Sequence, residues 1–383
     1  HAAKDILAEH GDLTPIRWMH RSDRYVEKLA TPDVSVADLI GDIDPIKAAN
    51  LKLAYSDERV IHFGLIPRSH RCIFVINELP DLQARIQVSL FNILQEGDIQ
   101  IRGFQLRLPL DIQFIFTANP EDYTNRGSII TPLKDRIQSQ IITHYPKSIA
   151  LGMEITELEA HHTKEQLKRV TVSPFMRELV EMVAFEARES EYVDQKSGVS
   201  ARLTISAMEN LVSSAERRAI INKEKKTHVR VGDMMSIVPA ITGKVELVYE
   251  GEQEGPHFVA MRLLGMAIRK KFPQIFPSPE TIKRKKIQNP YQRIIDHLVT
   301  ENVQILIDYS RDEYANVLYS IPVLHEIVDK YCPGILDEER LMMMEFVLHG
   351  LAEFSVIGKT VMDSSIEFSD IMNDIFREDR DND

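Results

Sequence analysis

The sequence predicts an α/β protein in which a parallel sheet comes first and helices follow. Two apolar runs, CIFVINELPDL from Cys72 and DIQFIFTANPEDY from Asp111, have the continuity of buried parallel strands. The first run ends in Asn77-Glu78 and the second in Asn119. Later segments such as PFMRELVEMVAFEARESEY repeat apolar residues every three or four positions, which is typical of amphipathic helices.

The polar residues at the two strand ends are expected to lie together. Ligands of α/β proteins bind outside the carboxyl ends of the strands, so Glu78 and Asn119 would face one site. The Pro after Asn119 prevents simple continuation as a central strand. After the turn-rich segment TNRGSIITP comes LKDRI, in which Asp135 and Arg136 open an amphipathic continuation.

This order of motifs resembles the AAA+ ATPases of the MoxR and magnesium chelatase motor-subunit group, over roughly residues 30 to 250. In that resemblance Asn77-Glu78 matches the Walker B position and Asn119 matches sensor 1. Arg136 matches the arginine finger that reaches a neighbouring subunit's nucleotide, with Arg126 as the alternative finger. Arg202, in GVSARLTISAMENL, matches the sensor 2 arginine at the start of a lid helix.

The resemblance also implies two insertions, one over Leu39 to Pro67 and a hairpin over Glu96 to Leu110 that precedes sensor 1. The second stretch predicts a hairpin without the family, because IQIR and QLRL alternate apolar and polar residues around Gly103.

The resemblance implies a fold and an activity. The fold is an AAA+ P-loop-type sheet core, an all-α lid and a C-terminal helical region. The activity is ATP hydrolysis with Mg²⁺ in a hexameric ring, coupled to remodelling or metal-insertion maturation of a partner with a von Willebrand A domain. Glu78 would orient the attacking water, Asn77 would hold the Mg²⁺ shell, and Asn119, Arg136 and Arg202 would surround the phosphates.

Each of these residues, taken singly, has a simpler explanation. An Asn before Pro is common in turns, an Asp-Arg pair on a helix is commonly a solvated ion pair, and Arg202 alone would be a surface residue. The ordered set favours the ATPase interpretation, because phosphoryl transfer needs a carboxylate, an amide and guanidinium groups around one phosphate.

Two departures from the family pattern stand out. Most members of the group carry Asp where this chain has Asn77, and a neutral amide attracts a metal-bound water less strongly, which would slow hydrolysis. The chain also has no G-x-x-x-x-G-K-[ST] motif, because Gly358-Lys359-Thr360 has Glu353 at the first Gly position. We therefore expect the phosphate-binding loop to lie upstream of His1, and this chain alone to be inactive.

Three regions are predicted. Residues 1–147 form the incomplete α/β core, whose last strand ends at HYPKS, and residues 148–250 form the helical lid. Residues 251–383 form a Pro-rich and basic linker, FPQIFPSPETIKRKKIQNP, followed by a small helical bundle. The Met stripe from Met342 to Met344 is expected to be core.

Composition favours a cytoplasmic protein. The sequence contains only two cysteines, Cys72 and Cys332, which makes a disulfide framework unlikely and suggests a reducing compartment. No apolar run approaches the roughly 18 residues that a transmembrane helix requires. A formal net charge of -12 argues against nonspecific nucleic-acid binding.

Two other classes remain open. A noncatalytic scaffold built on the AAA+ shape would be consistent with Asn77 and with the absent phosphate loop. A sigma-54 type activator would carry a GAFTGA loop, which Leu39 to Pro67 lacks.

Overall fold

The computed structural model describes residues 2–54, 57–101, 107–119, 127–194, 198–286 and 288–371. The chain divides into two compact units, unit 1 from His1 to Thr143 and unit 2 from His144 to Asp383. Within the described ranges no helix is long and apolar enough to cross a membrane.

Unit 1 contains short helices around a small set of strands. Its α-helices are α1 Ala2–His10, α2 Val36–Leu39, α3 Pro45–Leu51, α4 Leu65–Arg68, α5 Ala84–Ser89, α6 Phe91–Glu96 and α7 Thr131–Lys134. Its strands are β1 Tyr25–Leu29, β2 Gly41–Ile43, β3 Ile61–Phe63, β4 Ile73–Asn77, β5 Asp98–Gln100, β6 Arg107–Pro109 and β7 Gln113–Phe116.

A three-stranded parallel sheet in the order β1-β4-β7 forms the centre of unit 1. The sequence predicted β4 and β7 as neighbouring parallel strands, and the structure confirms this. One face of the sheet packs into the core through Phe74 and Ile76, with Phe114 and Phe116 beside them. The opposite face is partly exposed: Tyr25, Leu29, Ile73 and Ile115 are 41–54% exposed, whereas Val75 in the middle of β4 is buried at 6%.

The two predicted insertions contain local antiparallel pairs. Strands β2 and β3 pair within the first insertion, where helix α3 begins at Pro45 after the N-cap Asp44. Strands β5 and β6 pair with Ile99 opposite Leu108, which confirms the predicted hairpin strands. The hairpin turn lies outside the described residues.

The expected last strand before HYPKS is not observed. Helix α7 ends at Lys134, and residues 137–147 contain neither helix nor strand. Ile141 and Ile142 are 90% and 80% exposed, so this apolar stretch has no strand partner among the described residues. The predicted amphipathic continuation from Asp135 is likewise not helical, because α7 is already capped at Asp135.

Unit 2 is mainly helical. Its helices are α8 Ile149–Glu159, α9 Lys164–Arg169, α10 Pro174–Glu189, α11 Leu203–Ile221, α12 Val238–Thr242, α13 Tyr249–Glu254, α14 Pro256–Lys271, α15 Pro279–Lys285, α16 Gln292–Thr300, α17 Arg311–Ser320, α18 Leu324–Tyr331 and α19 Asp337–Glu353. Several begin at side-chain caps, as α10 does where Ser173 accepts from the Met176 N–H before Pro174.

One hydrophobic core runs through unit 2, so the predicted lid and C-terminal regions pack together. Phe272 and Phe276 of the predicted linker are fully buried in this core. The segment is therefore packed rather than exposed, because its aromatic rings supply core contacts that Pro-rich composition alone does not reveal. Met342, Met343 and Met344 are buried, which confirms their predicted core position.

Unit 2 also contains strands that the sequence did not indicate. These are β8 Val170–Thr171, β9 Thr227–His228, β10 Val303–Leu306, β11 Gly358–Met362 and β12 Ser365–Ser369. The last three form an antiparallel sheet in the order β10-β12-β11, where a purely helical bundle was expected. Gly358-Lys359-Thr360 lies in β11, and Lys359 pairs with Glu353, so this segment is not a phosphate-binding loop.

Candidate functional site

Strand β4 ends in a strained turn at Glu78. Glu78 adopts a left-handed conformation with φ 54° and ψ 50°, which is uncommon for a residue other than glycine. A short 3-10 helix, Leu79–Asp81, follows directly. Non-glycine residues in this region cluster at functional sites, where the surrounding structure holds them in place. The turn therefore marks Glu78 as the first candidate residue.

Thr117, at the end of β7, holds this turn. The Glu78 N–H donates to Thr117 Oγ1 at 3.1 Å, and the Leu79 N–H donates to the Thr117 carbonyl at 2.9 Å. The Thr117 hydroxyl donates to Asn77 Oδ1 at 3.2 Å. The ends of the two neighbouring strands are thus joined by three hydrogen bonds. Thr117 lies within the run DIQFIFTANPEDY, and the sequence alone did not predict a role for it.

Glu27 of β1 completes the arrangement from the other side of β4. Asn77 Nδ2 donates to Glu27 Oε1, and the Tyr25 hydroxyl donates to Glu27 Oε2 at 2.9 Å. This bond to Glu27 raises the pKa of Tyr25. Sequence reasoning missed Glu27 because β1 reads YVEKL, which has no long apolar run.

Asn119 lies two residues beyond Thr117 and is exposed at the same strand-end edge. Arg126, the alternative finger, lies outside the described residues. Gly127 follows it and packs against the turn after Glu78: a Cβ at Gly127 would lie 2.2 Å from the Pro80 carbonyl oxygen, so only glycine fits there. The Gln87 side chain donates to the carbonyl of Ser128, the residue after Gly127, at 3.1 Å and so holds this segment in place.

Arg136 forms its hydrogen bonds within unit 1, and none of them involves Asn77 or Glu78. Its Nε and Nη2 donate to Gln95 Oε1 at 3.1 and 2.9 Å, and its Nη1 donates to the Pro132 carbonyl at 2.7 Å. The guanidinium also lies 4.7 Å from the centroid of the Phe91 ring. Helix α6 therefore fixes the position of this arginine.

Arg202 lies in unit 2 and is exposed immediately before the first residue of α11, where the sequence predicted the start of a helix. Its backbone N–H donates to Ser200 Oγ at 3.2 Å. The hydrogen bonds that join Glu27, Asn77, Glu78 and Thr117 include neither Arg136 nor Arg202.

The chemistry of the strand-end edge suits a hydrated Mg²⁺ more than a directly bound ion. Among the described residues no group of three His, Cys, Asp or Glu side chains is arranged to hold a metal. No described residue bonds the Glu78 carboxylate, which leaves it available to orient water. The Asn77 amide already bonds Glu27 and Thr117, so one lone pair of Oδ1 remains for a metal-bound water.

Comparison with known proteins finds one family model that matches part of unit 1. Residues 17–137 match the model of the AAA domain, dynein-related subfamily. No curated protein matches the chain significantly.

Three similar solved structures share little sequence identity with this chain. A candidate ATPase from Cytophaga hutchinsonii is 18% identical, with 63% of this chain and 76% of that chain covered and a TM-score of 0.27. NtrX from Brucella abortus in complex with ADP is 12% identical, with 70% and 56% covered and a TM-score of 0.36. A model of the BchI and BchD complex of magnesium chelatase is 18% identical, with 60% and 72% covered and a TM-score of 0.28. These scores are too low to support an argument, so the assignment depends on the family model. The match of residues 17–137 to the AAA domain model confirms the α/β AAA+ fold class predicted from the sequence.

Proposed function

We propose that this chain belongs to a ring-forming AAA+ ATPase that couples ATP hydrolysis to remodelling, or metal-insertion maturation, of a partner protein. The observation that carries the proposal is the junction of β4 and β7, where Asn77, Glu78 and Thr117 are joined at one sheet edge. This edge is where α/β proteins bind ligands. The AAA domain match supports nucleotide chemistry at that edge.

In this proposal Glu78 orients the water that attacks the γ-phosphate, and Asn119 contacts that phosphate from the next strand. Arg202 contributes a second cation from the lid. ATP and Mg²⁺ are the cofactors, with Asn77 beside a metal-bound water. The phosphates carry the charge that the protein must stabilise, so positioned side chains supply most of the catalysis.

Arg136 acts on the nucleotide of a neighbouring subunit in this proposal, which makes a closed ring necessary, and the ring is hexameric by family resemblance. All three donor groups of its guanidinium are bonded within unit 1. Reaching a neighbour's phosphate would exchange some of those bonds for bonds to phosphate oxygens, which are charge-assisted and stronger. The partner by the same resemblance carries a von Willebrand A domain, and the site of action is the cytoplasm.

The first test is Mg²⁺-dependent ATP turnover by the encoded protein, with any residues upstream of His1 included, beside residues 1–383 alone. Glu78→Gln should lower turnover at least about 100-fold while nucleotide is retained, because the amide cannot polarise the attacking water. Glu96→Gln, an exposed glutamate that bonds no described residue, is the matched control and should be unchanged. Equal turnover by wild type and Glu78→Gln would remove Glu78 from the site.

A mixing experiment tests the action of Arg136 on a neighbouring subunit. Rings made only of Arg136→Ala or only of Glu78→Gln should be inactive, because every site in such a ring lacks one of the two required side chains. Mixed one to one, they should regain about one quarter of wild-type turnover, because a random ring then contains that share of sites with both groups intact. An unchanged rate for Arg136→Ala would transfer the finger role to Arg126, and no recovery on mixing would contradict action in trans.

The alternative function is a noncatalytic scaffold. The observation in its favour is that the Asn77 amide and the Arg136 guanidinium already have protein partners. A scaffold would assemble equally with and without ATP, whereas the motor should assemble more strongly with ATP. Sedimentation of the encoded protein with and without Mg²⁺-ATP separates the two functions.

A further inference from the structure

A chain of hydrogen bonds crosses all three strands of the parallel sheet. It runs from the Tyr25 hydroxyl to Glu27 on β1, then to the Asn77 amide on β4, and then to the Thr117 hydroxyl after β7. It ends at the backbone N–H of Glu78. The register of β1 and β4 places Leu29 opposite Asn77, so Glu27 reaches Asn77 diagonally on one face of the sheet.

The Glu27 carboxylate fixes the direction of the bonds made by the Asn77 amide and the Thr117 hydroxyl, whereas the Glu78 N–H can only donate. An ionised carboxylate only accepts hydrogen bonds, so the part of the Asn77 amide that faces it must be Nδ2. Oδ1 then faces Thr117, and the Thr117 hydroxyl must donate to it. The lone pairs of that hydroxyl are thereby left for the Glu78 N–H. A single charge on β1 thus orients the group that holds the left-handed turn.

The same geometry explains why an amide stands at position 77. An aspartate there would place a second carboxylate against Glu27, with no proton between them at neutral pH, and like charges at this range repel. An amide at 77 and a carboxylate at 27 satisfy each other instead. The reverse arrangement, with an amide at 27 and a carboxylate at 77, would keep every hydrogen bond of the chain.

We propose that Glu27 is a positioning residue for the site, acting through Asn77 and Thr117 to fix the backbone turn at Glu78. Its effect on turnover rests on the proposed ATPase function, whereas its effect on the turn does not. Glu27 and position 77 form one carboxylate–amide pair, and the pair, rather than either residue alone, is what the turn requires.

The experiment is a charge-swap cycle of wild type, Glu27→Ala, Asn77→Asp and the double variant Glu27→Gln/Asn77→Asp. Hydrogen exchange of the Glu78 and Leu79 backbone amides reports the turn, since both donate to Thr117. Each single variant should raise exchange about 3-fold or more at pH 8, the range expected for loss of one exposed hydrogen bond, and the double variant should restore the wild-type rate. Glu96→Ala is the control for loss of an exposed carboxylate and should leave both amides unchanged.

Recovery in the double variant separates positioning from simple packing, because Glu27→Gln/Asn77→Asp changes both side chains but keeps one carboxylate and one amide in the pair. Thr117→Val removes the hydroxyl that accepts from the Glu78 N–H, so it should raise the exchange rate of the Glu78 amide. This test remains available if Glu27→Ala does not fold. Unchanged exchange in folded Glu27→Ala, unchanged exchange in Thr117→Val, or no restoration in the double variant would overturn the proposal.

Turnover by the encoded protein distinguishes the positioning role of Glu27 from the proposed ATPase function. Glu27→Ala should lower kcat about 3-fold or more with little change in KM, and the double variant should recover it, as expected for loss of transition-state positioning. Absence of turnover in wild type, together with the predicted exchange pattern, would leave Glu27 as the positioning residue and reject the ATPase function. Turnover in wild type that Glu27→Ala does not change would overturn the positioning role alone.

Discussion

The two units place their charged and polar groups differently. Unit 1 exposes the Glu27, Asn77 and Thr117 network on the partly exposed face of its sheet. Unit 2 buries its own network, in which Arg218 pairs with Asp233 and the Glu345 carboxylate accepts from the Val231 and Gly232 N–H groups at 2.9 and 3.1 Å. An exposed network can meet a ligand, whereas a buried one contributes to the specificity of packing.

Burial also makes the unit 2 network costly to disturb. The Tyr314 hydroxyl donates to Glu345 Oε2 at 2.7 Å, and the Arg230 guanidinium lies 4.0 Å from the Tyr314 ring centroid. Burial raises the pKa of Glu345 and lowers that of Arg230. The two units therefore differ in how deeply their polar and apolar side chains are buried, and four substitutions test what burial contributes to stability.

The largest effect is expected from Asp233→Ala. It leaves Arg218 charged and fully buried without its partner, which should lower the free energy of unfolding of unit 2 by about 3–5 kcal/mol. Arg217→Ala is the matched control: it removes a neighbouring arginine whose ion pair with Asp308 is exposed at 64% and 42%, and should cost about 1 kcal/mol or less. Urea unfolding followed by far-UV circular dichroism measures both, and equal costs would mean that the Arg218 pair is not buried in solution.

The next substitution compares the two faces of the unit 1 sheet. Ile76→Ala on the buried face should cost about 2–5 kcal/mol, because it opens a cavity in the core. Ile115→Ala on the partly exposed face, where the side chain is 44% exposed, should cost about 1 kcal/mol or less. Urea unfolding followed by far-UV circular dichroism measures both costs. An equally large cost at Ile115 would show that the partly exposed face is covered in solution.

A smaller loss is expected from Gly350→Ala in α19. A Cβ at this position would lie 1.9 Å from Phe272 Cδ2, so the ring must move within a closely packed core. Overpacking of this kind should lower the free energy of unfolding by about 1–3 kcal/mol, despite the better helix propensity of alanine. Thermal unfolding of unit 2 measures it, and a stabilised variant would contradict the packing around Phe272.

The smallest effect concerns pH and His349. Neither ring nitrogen of His349 bonds a described residue, and Glu345 Oε1 is 3.9 Å from Nε2. Burial, with Lys359 nearby, lowers the pKa of His349 well below its ordinary value. The unfolded chain therefore binds a proton first as pH falls below about 6.5, and the folded state loses stability.

His349→Leu removes that proton linkage. The loss of stability between pH 7.5 and pH 5.5 should be smaller in the variant than in wild type by about 1 kcal/mol, because one linked proton contributes at most about 1.4 kcal/mol per pH unit. His257→Leu, at an exposed position, should match wild type. Urea unfolding at the two pH values measures the difference, and parallel pH profiles for wild type and His349→Leu would show that His349 is protonated or hydrated when folded.

The sequence predicted the parts of the fold that local pattern determines. Strands β4 and β7 lie within the runs from Cys72 and from Asp111, and they were identifiable because these apolar runs are continuous. The helices of unit 2 were identifiable because of their period. Strand β10 lies in the region that was expected to be a helical bundle, because Val303–Leu306 comes soon after the strongly amphipathic α16. Its strand character comes from pairing with β12, about sixty residues later, which no local window contains.

The candidate site was predictable only where a motif marked it. Glu78 and Asn119 follow conspicuous strands, so sequence reasoning reached them. Glu27 lies fifty residues before Asn77 and meets it only through the pairing of β1 with β4. Thr117 is an ordinary β-branched residue whose role depends on the direction of one hydroxyl bond. Contacts of this kind depend on strand register, which a single sequence does not specify.

The exposed stretch after α7 has a practical consequence for anyone who purifies this chain. Residues 137–143 read IQSQIIT, without charge or proline, and their two adjacent isoleucines face solvent. Uncharged segments of high β-propensity associate with one another when they are accessible. We expect the chain to precipitate in concentrated stocks, and a lysine at position 141 or 142 to extend its shelf life.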